Sequence, residues 1–363
     1  MRRLRVRRPA QAVPWVAVGV FLLVLAAAYF FWRDAFTVVL AVGGFVGALV
    51  ILYEVRLTKR IAQAEFIRDL NDGFTTNENI DALWRKLLLG EEVVAADRHL
   101  MSTYLTFFET VYLLLRRHVI DFALIDDLFR NRFFKAVGDP GVQRHALIRD
   151  GSSFLNIHAL IADWHGYLTH HDIRLPDGYY AYAKAKAQSR GYRIEKLDAE
   201  HLPALLELQS DVMATLTRAE WLRDNPPEMF EECLREHHVL GAWDADDRLA
   251  GAAILYDGGQ GKENIRRYFT EDAAVLAAAI NLKLVLLRPE ARGGGLARAL
   301  VELLEQKAIA LGKSEVLCTV HPGNRPSARL FTSLGYRRRG TVRTAYGRRN
   351  VLVRPIPAAR VGR

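Results

Sequence analysis

Two long apolar runs dominate the first sixty positions. Val13–Trp32 and Ala35–Tyr53, twenty and nineteen residues long, contain no charged side chain. Each is long enough to cross a hydrocarbon core of about 30 Å. Only Arg33 and Asp34 separate them. A single straight helix through both would measure roughly 60 Å and would bury two charges at its middle. The pattern therefore predicts a two-helix transmembrane hairpin, with helices at about 13–32 and 35–53. Aromatic residues Trp15, Tyr29, Trp32 and Tyr53 fall at the segment ends, the depth of the membrane interface. Gly43 and Gly47 form a small-xxx-small pair that would let the helices approach, and glycines are equally ordinary in membrane helices. A cleavable signal peptide is the rival reading of the first run. Its apolar stretch is long for one, and no clean cleavage site follows it.

Beyond Tyr53 the apolar positions take up a helical period. Ile61, Phe66 and Leu70 continue the second segment as a helix outside the membrane. Asn79–Leu89, His99–Ile120, Phe122–Val137 and Phe154–Leu168 each carry an apolar stripe at helical spacing. Asp139-Pro140-Gly141 and Gly151-Ser152 punctuate them. This predicts an all-α domain over 58–170. Within it Glu109 reads as the edge of a stripe. His158, His165, His170 and His171 match no ligand spacing on one helix face, so no metal site is expected. Residues 171–191 read as a junction, with the turn Pro176-Asp177-Gly178 and a short alanine-rich helix.

From Tyr192 strands and helices alternate. Tyr192–Leu197 is strand-like, and Leu202–Leu216 and Ala219–His237 are helical, the second broken at Pro226-Pro227. His238–Asp244 and Leu249–Tyr256 form a hairpin. Ala279–Leu287 and Glu315–Val320 are buried strands, with helices at Leu296–Leu311 and Ser327–Leu334. The pattern is that of an α/β layer fold with a mixed central sheet flanked by helices.

Charge changes the picture at the ends. The 363-residue chain carries a net charge of +9. Arg2, Arg3, Arg5, Arg7 and Arg8 crowd the first residues, and nine arginines with no acid fill 337–363. Those fourteen exceed the whole excess, so everything between is net acidic. The basicity is a topology signal rather than a nucleic-acid-binding face, and no nucleic acid partner is expected. Together with Arg56, Lys59 and Arg60 it places both termini on the cytoplasmic side of a cell membrane. Cys233 and Cys318 lie too far apart in pattern for a disulfide framework or zinc site.

One segment carries legible chemistry. After the strand ending at Leu287 come Pro289, then Arg292-Gly293-Gly294-Gly295-Leu296-Ala297 and a helix. Three glycines permit a tight turn free of side chains. The amides that converge at the helix start suit a diphosphate, and Arg292 adds a full charge. A dinucleotide fingerprint would need a third glycine at Arg298, and no Gly-Lys-Ser/Thr follows.

Arg292-x-x-Gly295-x-Ala297 resembles the acetyl-CoA signature of the GNAT N-acetyltransferase superfamily. Asn324, Ser327 and Leu334-Gly335-Tyr336 downstream resemble the start and end of that family's last helix. The resemblance covers about 192–355 and implies a GNAT acyltransferase domain over 192–357, followed by a basic tail at 358–363. Residues 58–170 are weakly similar to a bacterial helical domain of unknown function.

The resemblance implies acetyl-CoA as acyl donor and direct attack by an acceptor amine, whose identity stays open. It puts Val285, Leu286 and Leu287 on the pantetheine arm and Arg292, Gly293, Gly294, Gly295, Leu296 and Ala297 on the diphosphate. It brings Asn324 and Phe331 to the same arm. Many family members have a tyrosine where this chain has Phe331, so the general acid is open. His321, Tyr336 and Tyr346 are the candidate catalytic residues, and Glu263, Glu271 and Asp272 fall near the acceptor side. The stretch 258–278 is the expected acceptor-selecting loop. The lipid bilayer is the expected partner, with oligomerisation left open. A catalytically weak acyl-CoA sensor is the alternative function.

Overall fold

A computed structural model describes residues 13–31, 33–148 and 153–356. The chain divides into two units at Leu70/Asn71. In the first, helix α1 spans Val13–Phe31, and α2 begins at Arg33 and runs on without a break to Thr76. Trp32 lies outside the described residues, as do the arginines before Val13 and the tail beyond Ile356. Phe21 of α1 packs on Gly43 of α2, where an added Cβ would come within 2.6 Å of the ring; Gly47 meets nothing. Large apolar side chains such as Leu23, Phe30, Phe45 and Tyr53 are exposed. Among the described residues, Ala41–Thr76 is long and apolar enough to cross a membrane by length and composition.

The second unit opens with helices whose stripes follow the sequence pattern. These are α3 (Glu78–Leu89), α4 (Arg98–Arg116), α5 (Phe122–Gly138), the short α6 (Pro140–Val142) and α7 (Leu155–His170). Asn77 caps α3, accepting from the Asn79 and Ile80 amides, and Gly90 ends it in the left-handed region. Their core is aromatic: Phe74, Tyr104, Phe108, Phe129, Phe133 and Trp164 are fully buried and meet edge to face or tilted, except that Phe133 stacks on Trp164. Trp164 Nε1 donates to Asp126 at 2.7 Å, so the buried indole is satisfied.

The alanine-rich stretch in the junction is helix α8 (Asp177–Gln188), and it is more than a connector. It buries Tyr179, Tyr180 and Tyr182. Gly178 lies so close to α5 that an added Cβ would overlap the Phe134 carbonyl, which fixes the residue as glycine.

The α/β part comprises β1 (Arg193–Lys196), α9 (Leu202–Ala214), α10 (Pro227–Glu236), β2 (His238–Trp243) and β3 (Leu249–Tyr256). Then follow α11 (Ala273–Ala278), β4 (Ala279–Leu287), α12 (Leu296–Ala310), β5 (Glu315–Val320), α13 (Arg325–Ser333), β6 (Arg337–Thr344) and β7 (Gly347–Pro355). The seven strands lie in the order β1-β2-β3-β4-β5-β7-β6. β4 and β5 are parallel and every other pair is antiparallel. One sheet face packs on α12 and α13 through Leu300, Leu304 and Phe331. The other packs on α9 and α10 through Leu208, Phe230 and Leu234. The helix expected over Ala219–His237 is α-helical only from Pro227. Pro226 bars the α conformation at Asn225, and Pro227 suits a first helical position. The irregular stretch before it is held by Gln209, which donates to the Asn225 carbonyl at 2.9 Å and accepts from the Asn225 amide side chain at 2.9 Å.

Two buried acids on α12 tie the helical region to the sheet. Tyr179 donates to Glu302 at 2.7 Å and Arg298 donates to the same oxygen at 3.2 Å. Burial pushes the Glu302 carboxyl up to about 7, against the pull of these two partners. Burial and then Arg298 push His165 down to about 3, so its contact with Glu302 at 3.6 Å joins a neutral ring to the acid rather than an ion pair. One turn on, Glu305 pairs with Arg354 of β7.

Because Glu302 binds its proton more tightly folded than unfolded, it costs stability progressively as pH rises from 4.5 to about 7. Glutamine cannot ionise. The stability of Glu302→Gln relative to the native chain is expected to rise over that interval, by up to roughly 3 kcal/mol, and to level off above it. Parallel melting profiles of the two proteins between pH 4.5 and 8 would contradict this.

Candidate active site

The site begins where two parallel strands stop pairing. β4 runs beside β3 from Asn281 to Leu287, but it pairs with β5 only at Ala279, Ile280 and Asn281. The cause lies in β4. Its register against β3 slips at Lys283, since Leu255 faces Leu282 while Ile254 faces Leu284. The extra residue is a bulge, which bends a strand and raises its twist. β5 keeps its other neighbour, β7, along its whole length, from Glu315 facing Pro355 to Val320 facing Asn350. The β4 edge beyond Asn281 therefore loses its ladder partner on one side, and its backbone groups need another.

The gap opens into a cleft of about 320 Å3. Leu284, Val285 and Leu286 form one wall, and Cys318, Thr319, Asn324 and Phe331 the other. Glu263, Tyr268, Tyr346 and Arg349 close the outer side. The 258–278 stretch thus reaches the cleft, through Glu263, Ile265 and Tyr268.

Past the cleft, the end of β4 is clamped. Arg288, buried, donates its amide to Ala250 and its Nε to Leu249, both at 2.9 Å, and pairs with Glu207 and Asp211 of α9. A 3-10 turn, Pro289–Ala291, then delivers the glycines. Gly293 and Gly295 have φ of 78° and 83°, a region in which any Cβ is strained. The first bond of the helical ladder here runs from the Ala299 amide to the Gly295 carbonyl at 3.1 Å. The amides of Leu296, Ala297 and Arg298 precede it and have no intrahelical acceptor. No side chain caps them, and nothing lies within 4 Å of a Cβ built on Gly293. Open donors and the positive end of a fifteen-residue helix suit a diphosphate. Arg292 lies alongside, its Nε donating to the Leu287 carbonyl at 3.2 Å.

Asn324 does what its position predicts locally: Oδ1 accepts from the Ser327 amide at 3.1 Å and caps α13, while the residue also lines the cleft. Phe331 is buried at the cleft wall, edge-on to Tyr336. The three candidate catalytic residues part company. Tyr346 lines the cleft with Arg349 4.7 Å above its ring. Tyr336 is buried in the core, where burial and then Glu305 push its phenol well up. His321 lies outside the cleft lining, and its Nδ1 accepts from the Gly323 amide at 3.1 Å, bracing the turn before α13. Among the acids, Glu263 faces the cleft and meets Lys283 Nζ at 3.4 Å. Glu271 pairs with Arg267, and Asp272 caps α11.

Sequence reasoning passed over Lys283, Tyr268, Arg223 and Arg349, all of which line the cleft. A lysine inside an otherwise apolar strand was the available signal for the first. Cys318 also lines it, but burial raises its thiol well above the ordinary range, which disfavours the reactive thiolate. Among the described residues, Glu232, Glu236 and His237 bring three metal-capable atoms together. His237 Nδ1, however, accepts from the Asp257 amide, leaving its Nε2 as the protonated donor and no lone pair for an ion.

Residues 202–336 match the model of the acetyltransferase (GNAT) family. No curated protein matches the chain. Similar solved structures include a GCN5-related N-acetyltransferase from Kribbella flavida, 20% identical over 46% of this chain and 98% of its own, with a TM-score of 0.36. Another is the ribosomal-protein-S18-alanine N-acetyltransferase from Escherichia coli, 20% identical over 47% and 98%, with a TM-score of 0.35. A third is the acetyltransferase yncA from Salmonella typhimurium with acetyl-CoA, 16% identical over 47% and 98%, with a TM-score of 0.37. With the signature at Arg292–Ala297 and the parted strands at its entrance, residues 202–336 of this chain form a GNAT acetyltransferase domain.

Proposed function

We propose that the chain is an acetyl-CoA-dependent N-acyltransferase tethered to a membrane by residues 13–53. The observation that carries the first part is the adjacency of an unpaired β4 edge to a glycine turn with open amides. In the GNAT family the donor is acetyl-CoA, which supplies an acyl group on a thioester. An amine takes that group directly: a C–N bond forms, the C–S bond breaks, the nitrogen gives up a proton and the sulfur leaves as thiolate.

The chain's residues then have these tasks. The amides of Leu296, Ala297 and Arg298 and the Arg292 guanidinium hold the diphosphate. The free edge of Val285 and Leu287 orients the arm, and Asn324 and Phe331 wall it in. Orientation and fixed dipoles supply most of the rate. Tyr346, which shares the cleft with Tyr268, offers a hydroxyl to protonate the leaving sulfur, since Phe331 has none to offer. Glu263, next to Lys283, gives the acceptor side a mixed charge that suits a polar amine. Two apolar helices, exposed aliphatic side chains and arginine-rich flanks support the tether.

A second reading, an acyl-CoA sensor without turnover, draws on the phenylalanine at 331. Thiol release from acetyl-CoA over a panel of amines separates the two. Turnover is expected with at least one amine, and Tyr346→Phe should lower kcat about tenfold or more while leaving KM for acetyl-CoA little changed. Coenzyme binding without thiol release from any amine would favour the sensor.

For the tether, the full chain is expected to stay with the membrane pellet through alkaline carbonate extraction. Release into the supernatant would contradict an integral anchor.

A further inference from the structure

The glycine turn borders a second cavity, of about 480 Å3, walled by α7, α8 and the opening of α12. Its chemistry is unlike that of the acceptor cleft. Lys186, in the last turn of α8, and Arg190, two residues past its end, both line it. Their like charges repel. Arg190 reaches the glycine turn: its Nη1 would be 3.4 Å from a Cβ on Gly295. Among the described residues neither cation has an acidic partner. Burial and then Arg190 push the Lys186 amine down, as expected for a charge lacking a counterion. Arg298, the third cation, is already engaged by Glu302 and Ser333.

Deeper in the same cavity two buried polar atoms have no hydrogen-bond partner: His165 Nε2 and Glu302 Oε2. Their residues are 4% and 0% exposed. Such groups are costly unless something pairs with them. Glu302 lies seven residues beyond Gly295, about 10 Å along the helix axis. That is the reach of a nucleotide from its diphosphate to the far edge of its base. A carboxylate oxygen and an imidazole side by side match a ring that offers an amine and a ring nitrogen, as adenine does.

Resting on the acyl-CoA reading above, we propose that this cavity takes the nucleotide end of the coenzyme. Lys186 and Arg190 meet its 3′-phosphate, and Glu302 with His165 meets the adenine edge. The helical region thereby completes the coenzyme site. A lone inorganic phosphate would be served by the α12 amides alone. With the diphosphate served by those amides and Arg292, two further cations that have no acidic partner among the described residues call for one more phosphate group, and coenzyme A carries one on its ribose.

The test is titration calorimetry of the full chain in detergent with coenzyme A and with 3′-dephospho-coenzyme A. The native protein is expected to bind coenzyme A about tenfold or more tightly than the dephospho form. Lys186→Gln should shrink that ratio several-fold, leaving dephospho-coenzyme A affinity unchanged, and Arg190→Gln, at a residue that also borders the glycine turn, should weaken coenzyme A more than the dephospho form. Since each substitution relieves a repulsion, the melting midpoint of the unliganded protein should stay level or rise; a structural role would instead lower it. Equal affinity for both forms, unaltered by either substitution, overturns this placement while leaving the glycine-turn reading intact. Failure of the native protein to bind either form overturns both.

Discussion

A helix start with no acceptor for its first amides is the constraint around which the C-terminal domain is arranged. Leu296, Ala297 and Arg298 present their N–H groups past a turn in which two positive φ angles exclude side chains. Those donors cost little when they face solvent and gain much when they face an anion. Everything upstream serves to aim them. Arg288 fastens the end of β4 to α9 and β3, and the bulge at Lys283 swings the strand away from β5. The cleft and the turn are thus two consequences of one bent strand.

The helical region is joined to this arrangement by chemistry rather than by a flexible linker. Tyr179 and His165 reach Glu302, and Glu305 takes Arg354 from strand β7. A wholly buried acid such as Glu302 is expensive, and an apolar residue would have packed there at less cost. Its presence makes sense if the face it occupies does more than pack, which is the role given to the cavity beside the glycine turn.

Much of this was legible in the chain itself. β4 and β5 have the bounds that apolar runs predict, and Arg292–Ala297 announced a tight glycine turn before a helix by composition alone. Pro226-Pro227 marked a break but not how much of the preceding segment would be irregular, because that depends on Gln209 bonding across to Asn225. The alanine-rich stretch after Pro176 looked like a spacer. Its tyrosines at 179, 180 and 182 become core only when α5 and α12 close on them, and no local pattern encodes that. Tyr336 and Tyr346 are equally plausible proton donors in sequence. One falls in the core because it follows the Leu334-Gly335 turn and packs on Phe331, and the other in the cleft because it sits in the turn between β6 and β7. Lys283 was visible as a charge in an apolar run, yet its meaning as a bulge emerges only from the register with β3.

The central claim is that the amides behind Gly293 and Gly295 hold a diphosphate. Calorimetric affinity for coenzyme A, measured on the native chain and on Gly295→Val, tests it most directly. The valine strains the left-handed turn and sets a branched side chain in front of the donors. The account predicts micromolar binding by the native protein and a loss of at least a hundredfold, about 3 kcal/mol, in a variant that still melts cooperatively. Unchanged affinity in that variant would contradict it.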